Sequence, residues 1–296
     1  MKPVISICAS ANRIIWWERF LQSLRGNTVP YEVIFVGNVK PEFDMSLYPE
    51  FKWIYATVKP CQCYQIAFWE AKGDLLHWTA DDASYDCASL PHHLLTRLPR
   101  DIPPNSNCLD RAYKLWQDTE AKYNNDGKTV IAFRPIEDGG DVQVRQHYFF
   151  GACDWTPRMA PFALVPRKYL TDKGGYDTKF VAGQCENDII MQVFEDGGRV
   201  EIAMDAMIYV HHHQVHVRDP QTGREKNDFR GWYPKDREAL ENAWVKEGYG
   251  LTAKFKDTNI LRQNVTLSKT RLIPVTLYQQ TPDVCTVTQG ERGKWL

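Results

Sequence analysis

Apolar residues in the first quarter of the chain come in short blocks, not long runs. VISIC at residues 4 to 8, YEVIFVG at 31 to 37, FKWIYA at 51 to 56 and Leu75 to Thr79 are each bounded by polar or turn-forming residues. Blocks of that length read as buried strands. Between them, Ile14, Trp17, Leu21 and Leu24 recur near helical spacing, with Ser10 or Asn12 available as a cap. A second helix is predicted between Gln62 and Lys72, ending at Gly73. Strands alternating with helices predict a single α/β domain around a mixed, mostly parallel central sheet flanked by helices.

The pattern blurs from Pro91 to Gly140. A Pro-rich stretch, LPRDIPPNSN, precedes a helix near Arg111 to Tyr123, then a turn and the strand TVIAF. A second ordered block follows, with an apolar segment PFALV, a helix from Asn187 to Glu195, and a strand from Ile202 to Val210 that runs into His211-His212-His213. Beyond residue 213 one helix is predicted, Lys235 to Lys246. We divide the chain at this point into a domain of residues 1–213, with halves of about 1–90 and 91–213, and a C-terminal extension of residues 214–296.

Sheets of this kind take ligands beyond the carboxyl ends of their strands. Three polar clusters lie at such ends: Ser10 to Arg13, Gly37-Asn38, and Asp81-Asp82. The last is the most pointed, because GDLLHWTADDASYD delivers two adjacent carboxylates from an apolar strand. Ionised neighbours there repel one another and resist desolvation, so something must compensate them. A divalent cation shared with an anionic ligand is one answer; a loop in which Asp82 or Asp86 caps the next helix is the other. Glu186 and Asp188, in GQCENDIIMQ, stand at a helix start, where they complement the helix dipole or serve as a general base. His211 and His213 share one face of their strand and His212 the other, and imidazole is a common metal ligand.

Composition narrows the partners. The chain has 296 residues, 43% of them hydrophobic, and a formal net charge of −1, so no overall basic field calls for nucleic acid or an anionic membrane. Its eight cysteines are irregularly spaced, unlike a small disulfide scaffold, and read as reduced thiols. No signal-peptide core opens the sequence and no run reaches membrane-spanning length, which together predict a cytoplasmic protein.

The order of these motifs resembles the inverting family-two glycosyltransferases, whose fold is the A-type (GT-A), Rossmann-like nucleotide-sugar fold. VISICASANR is similar to the family's opening strand and Thr-x-Asn-Arg turn, with Ser10, Asn12 and Arg13 at the motif positions. QIAFWEAKGDLLHWTADD is similar to the helix and strand that lead into the family's Asp-x-Asp motif, with Ala71, Gly73 and Asp74 in place, Gln65 and Ala67 for Asn and Gly, and Ala80 for the first aspartate. Arg167, Leu170, Gly174, Gly175, Tyr176 and Asp177 follow the family's later pattern, and CENDIIMQ matches its catalytic segment in part, with departures at Cys185 and Gln192.

The resemblance implies transfer of a sugar from a nucleotide-diphosphate donor to a hydroxyl-bearing acceptor, which could be a glycan, lipid or protein. It implies Mn²⁺ or Mg²⁺ on Asp82 and on His211 or His213, with Asp81 near the donor. Ser10, Asn12, Arg13 and Asn38 would line the nucleotide pocket. Glu186 would be the base, with Asp188 as its substitute. Two rival readings stay open: a sugar-phosphate nucleotidyltransferase, although ASANR lacks the Gly-rich phosphate loop, and a carbohydrate-binding protein that keeps the fold without turnover.

Overall fold

The computed structural model describes residues 2–86, 107–138, 144–146, 162–177, 180–211, 235–236 and 238–240. The four apolar blocks become β1 (Ile5–Ser10), β2 (Tyr31–Gly37), β3 (Phe51–Tyr55) and β4 (Leu75–Ala80), with α1 (Trp17–Ser23) and α2 (Pro60–Glu70) between them. A short β5 (Ala83–Ser84) follows, then α3 (Cys108–Lys122), β6 (Thr129–Asp138), β7 (Val144–Gln146) and β8 (Ala163–Pro166). Last come α4 (Arg167–Lys173), α5 (Cys185–Glu195) and β9 (Arg199–Val210).

These strands form one sheet in the order β3-β2-β1-β4-β8-β6-β9-β5, with β7 on β6. The chain winds outward from β1 through β2 to β3, then returns to place β4 on the other side of β1. That reversal makes the carboxyl ends of β1 and β4 a topological switch point. The expectation of a mostly parallel sheet holds only for this half. Beyond β4, strand β8 is antiparallel to both β4 and β6, β7 to β6 and β5 to β9, while β6 and β9 run parallel. Among the described residues the pairings divide evenly, four parallel and four antiparallel. An apolar block does not encode strand direction, so the mixed second half is not legible from its residues.

Period-two alternation divides each central strand between two cores. Cys8, Ile34, Val36, Leu76 and Trp78 face one side, where Ile66 and Phe68 of α2 and Ile189 and Val193 of α5 cover them. Ile7, Ala9, Val33, Phe35 and Leu75 face the other, against Trp17, Phe20 and Leu21 of α1 and Leu109 of α3. Phe35 meets Phe20 and Phe51 edge-on at 5.0 and 5.3 Å between ring centroids, a geometry that adds about 0.5–1.5 kcal/mol per pair beyond burial. His77 lies mid-strand in β4, fully buried, with Nδ1 2.9 Å from the Ala163 carbonyl and Nε2 2.7 Å from the Tyr85 hydroxyl. Burial lowers its pKa from 6.5 to about 4, so it stays neutral in the core.

Two glycines are dictated by contact. A Cβ on Gly37 would stand 1.7 Å from the Ala11 carbonyl oxygen, so only glycine lets β2 end against the loop after β1. Gly175, at φ +91°, packs on the Gln65 side chain, and Gln65 Oε1 accepts the Tyr176 N–H at 2.8 Å. The Gly174-Gly175 pair is thus a structural turn after α4, and Gln65 ties α2 to it. Leu240 is fully buried in the core that α2 and α5 share. No helix among the described residues is long and apolar enough to cross a membrane.

Candidate functional site

The puzzle of the adjacent aspartates resolves at the switch point. Asp81 is completely buried, yet its Oδ2 accepts the backbone N–H of Asn12 at 2.8 Å, that of Arg13 at 2.7 Å and the indole N–H of Trp17 at 2.7 Å. Its Oδ1 accepts Arg13 Nη1 at 3.0 Å. The same guanidinium brings Nε to 3.4 Å from Asp82 Oδ2. Burial opposes the charge on Arg13, but the two carboxylates outweigh it and raise its pKa. One arginine and three N–H donors therefore balance the pair, and both oxygens of Asp81, expected near a donor, bond Asn12, Arg13 and Trp17. Neither Ser10 nor Asn12 caps the first helix; Asp81 takes the amide bonds instead.

Asp82 and His211 are brought together by the β5–β9 pairing, in which the His211 N–H donates to the Asp82 carbonyl at 3.0 Å. The His211 ring stacks on Trp16 at 4.2 Å and meets Tyr209 edge-on at 4.5 Å, and its Nε2 lies 2.8 Å from Ser84 Oγ. His213, like His212, lies outside the described residues. Among those described, no group of three or more His, Cys, Asp or Glu side chains is arranged to hold a metal. A Mg²⁺-type ion, however, is commonly held by one or two carboxylates together with substrate phosphates and water. The strand pairing sets Asp82 and His211 side by side and buried, so the residues present offer such an ion one carboxylate, with an imidazole at the end of the neighbouring strand.

Glu186 and Asp188 share a helix but not an environment. Asp188 is 2% exposed and its Oδ2 accepts Gln192 Nε2 at 2.6 Å, one helical turn on. Glu186, half-buried in the first turn of α5, receives the Cys185 thiol at 3.4 Å. Burial raises its pKa above 4.5, and the charge of Asp236 pushes the same way. The phenol of Tyr64, which donates to the Thr79 carbonyl at 2.9 Å, is itself pushed well up by burial and then by several neighbours, Glu186 and Asp81 among them. The first turns of α2 thus bond both the loop before α5, through Cys61 N to the Val181 carbonyl at 3.0 Å, and the end of β4, through Tyr64. Ser10 sits beside the Cys63 thiol at the end of β1, and Asn38 follows Gly37, half-buried, at the end of β2.

Three residues join this region without a place among the sequence motifs, Trp16, Tyr64 and Asp236, and Ser84 lies within GDLLHWTADDASYD but has no role in that motif. The Trp16-Trp17 doublet was a usable signal, since one ring stacks on His211 and the other bonds Asp81. The rest carry no local mark. An open cavity of about 400 Å³, lined by Lys128, Lys168, Tyr169 and Asp196 among others, lies elsewhere. It includes Pro166, which pairs with Leu75 at the start of β4, so it opens at the opposite end of the strands. Its charges are largely paired, Lys168 with Asp172 and Lys173 with Asp196.

No family model matches the chain. No curated protein matches it. Among solved structures it is similar to residues 1–349 of TarS from S. aureus, with a TM-score of 0.47 and 14% identity over 71% of this chain and 60% of that one. TarS in complex with UDP-GlcNAc gives a TM-score of 0.46 at 13% identity, over 72% of this chain and 59% of that one. It is similar as well to the mannosyltransferase PcManGT from Pyrobaculum calidifontis in complex with GDP-Man and Mn²⁺, with a TM-score of 0.47 and 14% identity over 81% and 62% of the two chains. The match to TarS thus spans about 60% of that structure's length.

Proposed function

We propose that this chain is a GT-A-type glycosyltransferase that moves a sugar from a nucleotide-diphosphate donor to a hydroxyl acceptor with inversion at the anomeric carbon. The observation that carries the reading is the convergence, around Tyr64, of two differently prepared acidic groups: the charge-balanced Asp81 beside Asp82, and the desolvated Glu186. The first lies beyond strand ends, where sheets of this kind take ligands, and the second has the environment of a base.

In this reading Ser10, Asn12, Arg13 and Asn38 line the nucleotide, and Asp81 holds the loop of Asn12 and Arg13 in shape. Mn²⁺ or Mg²⁺ at Asp82, with His211 or His213 as a further ligand, would supply a Lewis acid that neutralises the departing diphosphate. Glu186 takes the proton of the acceptor hydroxyl as its oxygen bonds the anomeric carbon; the bond from that carbon to the diphosphate oxygen breaks on the opposite side, and the nucleoside diphosphate leaves. The buried, neutral thiols fit a reducing compartment such as the cytoplasm.

Thermal shift against UDP, UDP-GlcNAc and GDP-Man, with and without Mn²⁺, tests donor binding, since a true donor stabilises the folded state by mass action. We expect one donor class to raise the melting temperature, more so with Mn²⁺, and Asp82→Ala to lose the Mn²⁺-dependent part while the fold survives. Absence of any stabilisation and of donor hydrolysis overturns the proposal. Release of pyrophosphate from a nucleoside triphosphate and a sugar phosphate identifies a nucleotidyltransferase instead.

A further inference from the structure

The loop that leads into α5 is held from two directions. Its Val181 carbonyl accepts the Cys61 N–H at 3.0 Å, which ties it to the first turn of α2. From the other side Asp236, from beyond the last strand and only 1% exposed, points its carboxylate at three successive backbone N–H groups. Its Oδ2 lies 2.6 Å from Ala182 N, 2.9 Å from Gly183 N and 3.1 Å from Val181 N, and Oδ1 is 3.2 Å from Val181 N. Successive N–H groups converging on one oxygen form an anion-binding concavity, here filled by the protein's own side chain.

The residue just past this clamp gives the physical reason for it. Gln184 has φ +72°, the left-handed region that a non-glycine residue enters at a cost of about 1–3 kcal/mol. Its carbonyl then accepts Asp188 N at 2.9 Å to start α5, and its side chain accepts Asn187 Nδ2 at 2.7 Å. Glu186 sits on that first turn. The chain therefore reaches Glu186 through a strained residue, and such a residue persists only where its surroundings over-determine it.

We infer that Asp236 is a positioning residue for the proposed transfer: by gathering the N–H groups of Val181, Ala182 and Gly183 it holds the bend at Gln184 and so fixes where Glu186 stands. Asp236, from beyond residue 213, is then part of the working site. The consequence for turnover rests on Glu186 being the base; the clamp itself does not.

Amide hydrogen exchange and steady-state kinetics on Asp236→Asn and Asp236→Ala test this in the full-length chain. We expect exchange at residues 181–183 to rise about tenfold or more while the central strands keep their protection. We expect kcat to fall about 10²-fold with donor KM nearly unchanged, and Asp236→Asn to be less affected than Asp236→Ala. Unchanged protection at these amides overturns the clamp, and increased exchange with unchanged kcat overturns the positioning role. If Glu186→Gln proves fully active while Asp236→Asn still loosens the amides, the choice of base fails and the clamp stands. Should both Asp236 variants fail to fold, the wild-type protein decides: the three amide resonances should shift together with one midpoint as Asp236 is protonated, and independent behaviour rules the clamp out.

Discussion

The fold treats the carboxylate at the end of β4 and the one at the start of α5 in opposite ways. Asp81 is buried and saturated, with four donors between 2.7 and 3.0 Å. Glu186 receives the Cys185 thiol and backbone N–H groups at Gln184 and Glu186, yet burial outweighs them and its pKa moves up. A buried carboxylate balanced by an arginine and several N–H donors shapes the backbone around it, whereas one whose desolvation outweighs its hydrogen bonds takes up a proton more readily. The saturated region gives the loop after β1 its form; the desolvated one is where we propose the base.

Glu186→Gln puts this contrast to its most severe test, because it keeps the shape and removes the proton acceptor. Sugar transfer should fall about 10²–10⁴-fold with little change in melting temperature or donor affinity. Because burial raises the Glu186 pKa, the wild-type rate should climb with pH along an acid limb whose midpoint lies above 4.5, and the variant should lack that limb. A variant as active as the wild type removes Glu186 from the chemistry.

Asp81→Ala should act the other way. It strands Arg13 and the Trp17 indole in a buried site, which should cost about 3–5 kcal/mol in denaturant unfolding. A loss of less than about 1 kcal/mol would place Asp81 among weakly coupled surface ion pairs instead.

His77 offers a contrast within the same strand. Its folded pKa of about 4 lies below the unfolded value of 6.5, so the unfolded chain binds the extra proton between these limits. The stability it contributes is complete above pH 6.5 and is lost as pH falls towards 4, by roughly 3 kcal/mol in all. His77→Gln should flatten that part of the stability profile, and an unchanged slope assigns the effect to another group.

The smallest effect is expected at Asp188→Asn, whose partner is the Gln192 amide: about 1 kcal/mol of stability and less than about tenfold in rate. A dead Asp188→Asn beside an active Glu186→Gln would move the base two residues along the helix.

Much of the first half was legible. The strand blocks appear within a residue or two of their expected limits, and α2 begins at Pro60, a residue suited to a helix start. The clusters at the ends of β1 and β4 meet because parallel strands in register bring Ser10 opposite Ala80. The acidic positions at α5 were legible as a pair, but not as a difference between Glu186 and Asp188. That difference depends on Gln192 lying over one of them and on Cys185 and Asp236 standing near the other.

Periodicity is a local property, so the order of residues alone dictates which segments are strands, which are helices, and which polar residues arrive at strand ends. Charge balance is a property of surfaces that meet. Asp81 finds Trp17 across 64 positions of chain, and Asp236 finds Ala182 across 54. Nothing in the spacing of those residues announces the pairing. It is the packed chain that makes Arg13 neutralise two aspartates, runs the second half of the sheet in both directions, and brings a residue past the last strand to hold the loop before Glu186. Burying both faces of the sheet selects one arrangement of the chain, and the polar groups take the partners that arrangement leaves beside them.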